Sequence, residues 1–390
     1  MPTTLNDEAA IVGIGQTEFS KNSGRSELQL ACEAVNAAIV DAGLEPSDID
    51  GMTSFTLDTT DEIAIAQSVG IGDLTFFSCT PHGGGAAIGV IHQAVMAVAT
   101  GSAKYVICYR SLNGRSGQRY SEGVSGDLIT SDTIHWSWYM PWGLMTPASW
   151  VAMFTQRYMY ETGAKSSDFA NVSISTRNHA VNNPNAFFYG KQLTLDEHQN
   201  ARMICDPLRL FDCCQETDGA CAAVITTPER ARDLRAGGAV IRGIGQAAAG
   251  DQEVMTSFYR ESVAAIPEMD SVAKQVYEMS GLVPDDLDAA IIYDAFSSIV
   301  LMQLESFGLC GPGEAKDFLA DDNLGLGGRL PTNTHGGQLS EAYIHGMNGV
   351  NEGVRLIRGT SVNQPPKNDH VLVTAGIGVP TSAMILGKLG

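Results

Sequence analysis

Ala10-Ile-Val-Gly-Ile-Gly-Gln16 is echoed by Ala239-Val-Ile-Arg-Gly-Ile-Gly-Gln246, and that echo decides how the chain divides. Each stretch is a short apolar run interrupted by glycine, the pattern of a strand buried on both faces. Behind the first copy, the spacing of Leu28, Ala31, Val35, Ala38 and Ile39 predicts a helix over 27–42 that stops at Gly43. Next comes Ala42-Gly-Leu-Glu-Pro46-Ser-Asp-Ile-Asp50, and the second copy is followed by Ser280-Gly-Leu-Val-Pro284-Asp-Asp-Leu-Asp288. A third pair completes the order. Pro81-His82-Gly83-Gly84-Gly85 leads into a helix expected over 86–100, and His335-Gly336-Gly337 leads toward one expected over 350–359. Apolar strands at 105–108 and 371–374 follow these helices. Landmarks repeated in one order imply a tandem α/β unit, with halves at 1–238 and 239–390 and helices on both faces of the sheets.

The first half carries an insert, taken as about 112–218, whose composition differs from its flanks. Trp136, Trp138, Trp142 and Trp150, all the tryptophans, fall there. The cluster reads equally as a lid or interface and as the insert's own core. In the second half, Asn333 to Val350 is the densest chemical stretch. Its glycines allow a tight loop, and a helix starting behind it offers unpaired N–H groups to an anion or a developing oxyanion.

Composition excludes several classes. Of 390 residues, 44% are apolar and 17% charged, which suits a large core and not a disordered chain. The net charge of −20 argues against nucleic acid, although a few local arginines could still hold an anionic ligand. No apolar run reaches the ~18 residues a membrane span requires, so a soluble, cytoplasmic protein is expected. The eight cysteines are Cys32, Cys79, Cys108, Cys205, Cys213, Cys214, Cys221 and Cys310, with no Cys-x-x-Cys among them. They read as reduced, buried thiols rather than zinc ligands, and the vicinal Cys213-Cys214 as inert. Gly13-Ile-Gly15 lacks the third glycine of a dinucleotide loop, and no Gly-x-Ser-x-Gly elbow or His-Glu-x-x-His helix occurs.

With its two halves, its C-terminal glycine loop and an insert carrying Asn183-Pro184, Leu193-Thr-Leu-Asp-Glu197 and Cys213-Cys214-Gln-Glu-Thr-Asp218-Gly219-Ala220, the chain resembles the thiolase superfamily. It is most similar to the sterol-carrier (lipid-transfer) branch and its actinobacterial relatives, over nearly its whole length. The resemblance implies a five-layered αβαβα fold, a homodimer and acyl-CoA thioester substrates. The departures carry the function. Where the family has a nucleophilic cysteine ahead of the first core helix, this chain has His82-Gly83-Gly84-Gly85, with Gly84 nearest the nucleophile's position. The second catalytic cysteine is missing from Val373-Thr-Ala-Gly-Ile-Gly378, and without a thiolate a covalent acyl transfer has no carrier. Both family histidines are tyrosines here. Tyr293-Asp294-Ala295-Phe296 stands for His-Asp-x-Phe, and Ala342-Tyr343-Ile344-His345-Gly346 for Gly-His-Pro-x-Gly.

Two tyrosines and no nucleophile point to carbon–carbon chemistry beside a thioester, with hydroxyls that give and take protons. A tyrosine base, with a usual pKa of ~10, is expected to need a lowered value. The resemblance extends to the steroid side-chain-cleaving aldolases of the lipid-transfer type. It implies retro-aldol cleavage of a β-hydroxyacyl-CoA with a D-ring tertiary hydroxyl, giving a ketosteroid and propionyl-CoA, with no metal or cofactor. It also implies a partner with an OB-fold and zinc ribbon, attached to a hydratase. Tyr293 and Tyr343 are the candidate catalytic residues. Candidates for lining the substrate and oxyanion site are His82, Gly83, Gly84, Gly85, Asp294, His345 and Gly346. The alternatives are tyrosines that only fill the space of imidazoles in an acyl-CoA- or lipid-binding protein, and an acyltransferase using Cys79.

Overall fold

The computed structural model describes residues 5–81, 83–123, 134, 136–234, 237–251, 257–378 and 381–390. Among these, the strands are β1 (Ala10–Gln16), β2 (Gly51–Phe55), β3 (Phe76–Thr80), β4 (Val106–Asn113), β5 (Met203–Cys205), β6 (Leu208–Arg209), β7 (Asp218–Thr226), β8 (Ala239–Ala247), β9 (Ala289–Ile291), β10 (His370–Ala375) and β11 (Thr381–Lys388). The described helices of eight residues or more are α1 (Glu27–Ala42), α2 (Glu62–Val69), α3 (Ala86–Ala99), α4 (Pro147–Thr162), α5 (Ser166–Asn182), α6 (Pro267–Ser280), α7 (Ser297–Ser306) and α8 (Met347–Arg358).

The main sheet runs β3-β2-β4-β7-β1-β8-β11-β10-β9, and β5 and β6 form a separate pair. The order reads the same inward from either end: β2, β4, β7 and β1 match β9, β10, β11 and β8. Among the described residues, the second half has no strand matching β3. In its place Thr332 makes a single parallel bridge to Ala290, and the Asn333 side chain pairs with the backbone N–H and carbonyl of Ile292, both at 2.9 Å. A side-chain amide here continues the sheet where the backbone leaves it.

The repeated motifs do the same work twice. A Cβ at Gly13 or Gly15 would lie 2.2 or 2.1 Å from a carbonyl oxygen of α1, and one at Gly243 would lie 2.5 Å from the Val276 carbonyl in α6. The Gly-Ile-Gly echo therefore marks where each outer helix lies directly on its strand. Asp50 accepts hydrogen bonds from Lys104 N and Tyr105 N ahead of β4, and Asp288 accepts from Asp369 N and His370 N at the start of β10. Between the halves lie α3 and α8, buried along nearly their whole length. Each packs on strands of both halves, while α1 and α6 cover the outer faces. The five layers expected from the resemblance are thus present. Helix α8 begins at Met347, three residues before the expected Val350, directly behind the turn at Gly346.

Under the Asn333–Val350 stretch lies a buried polar knot. Glu341, fully buried, accepts from Asn183 Nδ2 at 3.0 Å and Asn348 Nδ2 at 2.9 Å, and Asn183 also donates to the His335 carbonyl at 2.8 Å. The Asn183-Pro184 motif of the insert therefore anchors the glycine stretch from 152 residues away. Burial pushes the Glu341 carboxyl up to about 8, with Arg355 opposing.

Two expectations follow. Gly15→Ala forces α1 off β1 and costs about 2 kcal/mol or more, whereas Gly72→Ala, where an added Cβ meets nothing within 4 Å, stays within about 0.5 kcal/mol in denaturant unfolding. Equal losses would contradict the packing. Glu341 keeps a proton in the folded chain that the unfolded chain, with a glutamate pKa of ~4.3, releases. Its stabilising contribution is full below that value and is lost as pH rises toward 8. Melting temperatures between pH 5 and 8 should therefore fall less steeply for Glu341→Gln than for the wild type, and parallel curves would show Glu341 ionised throughout.

Candidate active site

Tyr293 lies two residues past the end of β9, and its backbone is locked in a closed ring. Its N–H donates to Thr374 Oγ1 at 3.0 Å, Thr374 Oγ1 donates to Gln303 Oε1 at 2.6 Å, and Gln303 Nε2 donates back to the Tyr293 carbonyl at 2.7 Å. Tyr343 lies between the wide turn Gly337–Glu341 and α8, and its N–H donates to Thr217 Oγ1 at 2.9 Å. The segment from Cys213 to Glu216 ties the two tyrosine segments together. Cys213 bridges Phe296, Cys214 N donates to the Ala295 carbonyl, Gln215 N donates to the Gln338 carbonyl, and Glu216 bridges Tyr343. Cys213 and Cys214 are free thiols, and burial pushes both up, so the pair serves as a strap.

The two phenol oxygens stand 3.4 Å apart at the floor of a cleft. Gly84 explains how Tyr293 fits: a Cβ there would lie 1.8 Å from the Tyr293 hydroxyl. Just ahead of α3, where the resemblance puts a nucleophilic cysteine, the phenol occupies the side chain's volume. Cys79 does not replace that nucleophile. It is exposed on β3, 3.1 Å from Ser54 Oγ, and does not line the cleft, so the acyltransferase alternative finds no support. Its exposure also corrects the expectation of uniformly buried thiols.

The electrostatics run against the expected lowering of a tyrosine pKa. Burial pushes Tyr293 up, with the Tyr343 hydrogen bond opposing, and burial followed by repulsion from Tyr293 pushes Tyr343 up further. A low-dielectric site penalises the phenolate, so both groups are neutral phenols in the free protein.

The other candidates divide. Gly83, Gly84, Gly85 and His345 line the cleft. His82 lies outside the described residues. Asp294 points away from the cleft, accepting from Gln338 N at 2.8 Å and Leu339 N at 3.4 Å; burial pushes it up to about 7. It braces the turn at Gly337, where a Cβ would lie 2.0 Å from its Oδ2. Gly346 packs against the Tyr293 ring. Sequence reading missed Arg110 and Asp58, a buried ion pair whose guanidinium reaches His345; a lone arginine inside the apolar run of β4 was the available signal.

The cleft's wall is apolar. Leu57, Leu112, Trp136, Trp150, Val151, Phe296 and Ile377 form it, with Glu27, Gln118 and Arg119 among its polar lining. The tryptophan cluster therefore splits: Trp136 and Trp150 are buried in the wall, whereas Trp138 and Trp142 are 73% and 82% exposed. Among the described residues no helix is long and apolar enough to cross a membrane, and no group of three or more His, Cys, Asp or Glu side chains is placed to hold a metal.

Residues 250–388 match the family model described as thiolase C-terminal domain-like. The chain is 59% identical to a steroid side-chain-cleaving aldolase of Thermomonospora curvata, over 99% of both chains. It is 56% identical to 17-hydroxy-3-oxo-4-pregnene-20-carboxyl-CoA lyase of Mycobacterium tuberculosis, over 98% of this chain and 100% of that one. A solved structure described as Ltp2-ChsH2(DUF35) aldolase superimposes with a TM-score of 0.94 at 58% identity, covering 98% of each chain. The thiolase-like scaffold and relatives of this identity over the full length place the chain in the family of steroid side-chain-cleaving aldolases within the thiolase superfamily.

Proposed function

We propose that this chain is a carbon–carbon lyase that cleaves a β-hydroxyacyl-CoA thioester of a steroid side chain by a retro-aldol reaction. The observation that carries the reading is the pair of neutral phenols, 3.4 Å apart, standing where a nucleophile is excluded. In the cleavage the O–H bond of the tertiary hydroxyl and the bond between the α- and β-carbons break. A ketone forms on the steroid, the electron pair passes to the thioester enolate, and the α-carbon then takes a proton to give propionyl-CoA. One proton has moved from oxygen to carbon. Two touching phenols can carry it without either being ionised beforehand: one receives the hydroxyl proton as it passes its own to the other, which protonates the α-carbon. The raised pKa values thus suit a relay better than a free base. The apolar wall of Leu112, Trp136, Trp150 and Phe296 suits a fused hydrocarbon ring system. The scheme draws on no metal or cofactor, CoA being part of the substrate.

Two surfaces support the expected partners. Strand β3 is a free edge of the main sheet with Phe77 59% exposed, and we infer a twofold homodimer formed through it. Trp138 and Trp142 offer an exposed aromatic face for a DUF35 partner of the kind in the similar complex.

Supplied with a steroid β-hydroxyacyl-CoA and that partner, the wild type should release propionyl-CoA. Tyr293→Phe and Tyr343→Phe should each lower kcat about 10²- to 10⁴-fold. Undiminished turnover in both variants would end the relay. Phe77→Asp should shift the light-scattering mass from dimer to monomer; an unchanged mass would place the dimer contact elsewhere.

A further inference from the structure

Arg110 sits in β4 with its side chain 1% exposed, among apolar neighbours. Asp58 and His345 hold it, with Tyr120 and the Phe55 ring also against the guanidinium. Its Nη1 donates to Asp58 Oδ1, and its Nε donates to His345 Nδ1 at 3.0 Å. Asp58 is itself fixed, because Phe55 N donates to its other oxygen at 3.1 Å. Burial opposes the charge on Arg110, but Asp58, Tyr120 and Glu27 together more than offset it and the guanidinium stays charged. A guanidinium only donates, so His345 Nδ1 must present its lone pair and the ring proton must sit on Nε2. A second proton would set imidazolium against guanidinium. Burial first, and Arg110 second, push His345 well below the usual imidazole range.

The ring has one orientation. Tyr343 stands edge-on to it at 5.0 Å, Tyr120 tilts against it at 5.5 Å, and Phe55 stacks at 6.2 Å. Its backbone has φ +50, a left-handed conformation uncommon outside glycine. Nε2 lies 3.4 Å from where a Cβ on Gly83 would stand, on the glycine-loop side of the cleft, and has no protein partner among the described residues. A buried donor with a fixed hydrogen, beside a proton-relay pair, matches the place where a thioester oxygen gains negative charge.

We propose that His345, locked as the Nε2–H tautomer by Arg110 and Asp58, donates to the thioester oxygen as the enolate forms, with Arg110 and Asp58 acting as positioning residues. The proposal rests on the aldolase reading. His345 keeps its proton throughout and contributes a hydrogen bond only.

The test pairs a spectroscopic and a kinetic measurement on the full chain with its partner. Nitrogen NMR of ¹⁵N-histidine-labelled wild type should show one ring, absent in His345→Leu, with Nε2 protonated and Nδ1 bare from pH 5 to 8. Arg110→Lys, which keeps a cation beside Asp58, should let that ring become a tautomer mixture. In turnover, His345→Leu should lower kcat about 10²- to 10³-fold with KM changed less than about threefold, and His345→Gln, which retains an N–H donor, should recover part of the loss. An Nδ1–H or doubly protonated ring in the wild type would overturn the proposal. So would a folded His345→Leu or His345→Gln that cleaves no differently from the wild type when the wild type is active. Because the tautomer measurement needs no substrate, it decides the Arg110–His345 arrangement even if the wild type proves inactive, a result that would instead overturn the aldolase reading.

Discussion

A side chain at position 84 and the hydroxyl of Tyr293 cannot occupy the same volume, and the site depends on that exclusion. A thiolate carried ahead of α3 would have to displace the phenol. With glycine there, the phenol comes up against the helix's first turn and within reach of Tyr343. A pair of hydroxyls stands where the resemblance puts the carrier of a covalent acyl group. The scaffold stays the same, and the character of the site changes with the absence of one Cβ.

The layered architecture makes such a pair possible by removing it from water. Helices α3 and α8 lie between the two halves of the sheet, with Tyr343 just ahead of α8 and the Tyr293 hydroxyl against the glycine loop that precedes α3. In that low-dielectric setting a buried polar group left without a partner is costly. The Arg110–Asp58 pair, the Glu341 knot and the Asp294 brace each place a buried polar group among hydrogen-bond partners. Removing one member of a buried ion pair costs about 3–5 kcal/mol, because the other is left uncompensated. That exceeds the ~0–1 kcal/mol of a surface pair, so a lone arginine inside a strand is a feature to be explained rather than passed over.

Much of this was legible in the linear sequence. The echo of Ala10–Gln16 in Ala239–Gln246 foretold two like halves, and the helix at 27–42 was bounded correctly because Ser26 caps its start and Gly43 its end. Tyr293 and Tyr343 were identified because a resemblance aligned them with residues of known place. Other parts were not legible. Arg110 lies 52 positions from Asp58 and 235 from His345, and no local pattern says that they touch. The strap at Cys213–Glu216 looked like a thiol pair until its backbone partners were seen.

Periodicity, turn residues and repeated motifs are local properties, so the sequence by itself determined which segments are strands and helices and how often the unit repeats. Proton position and charge state are set by what packs around a group from distant parts of the chain. Only the tertiary structure could decide that the tyrosines are neutral rather than activated by a lowered pKa, that Asp294 faces away from the cleft, and that Arg110 dictates which nitrogen of His345 carries its hydrogen.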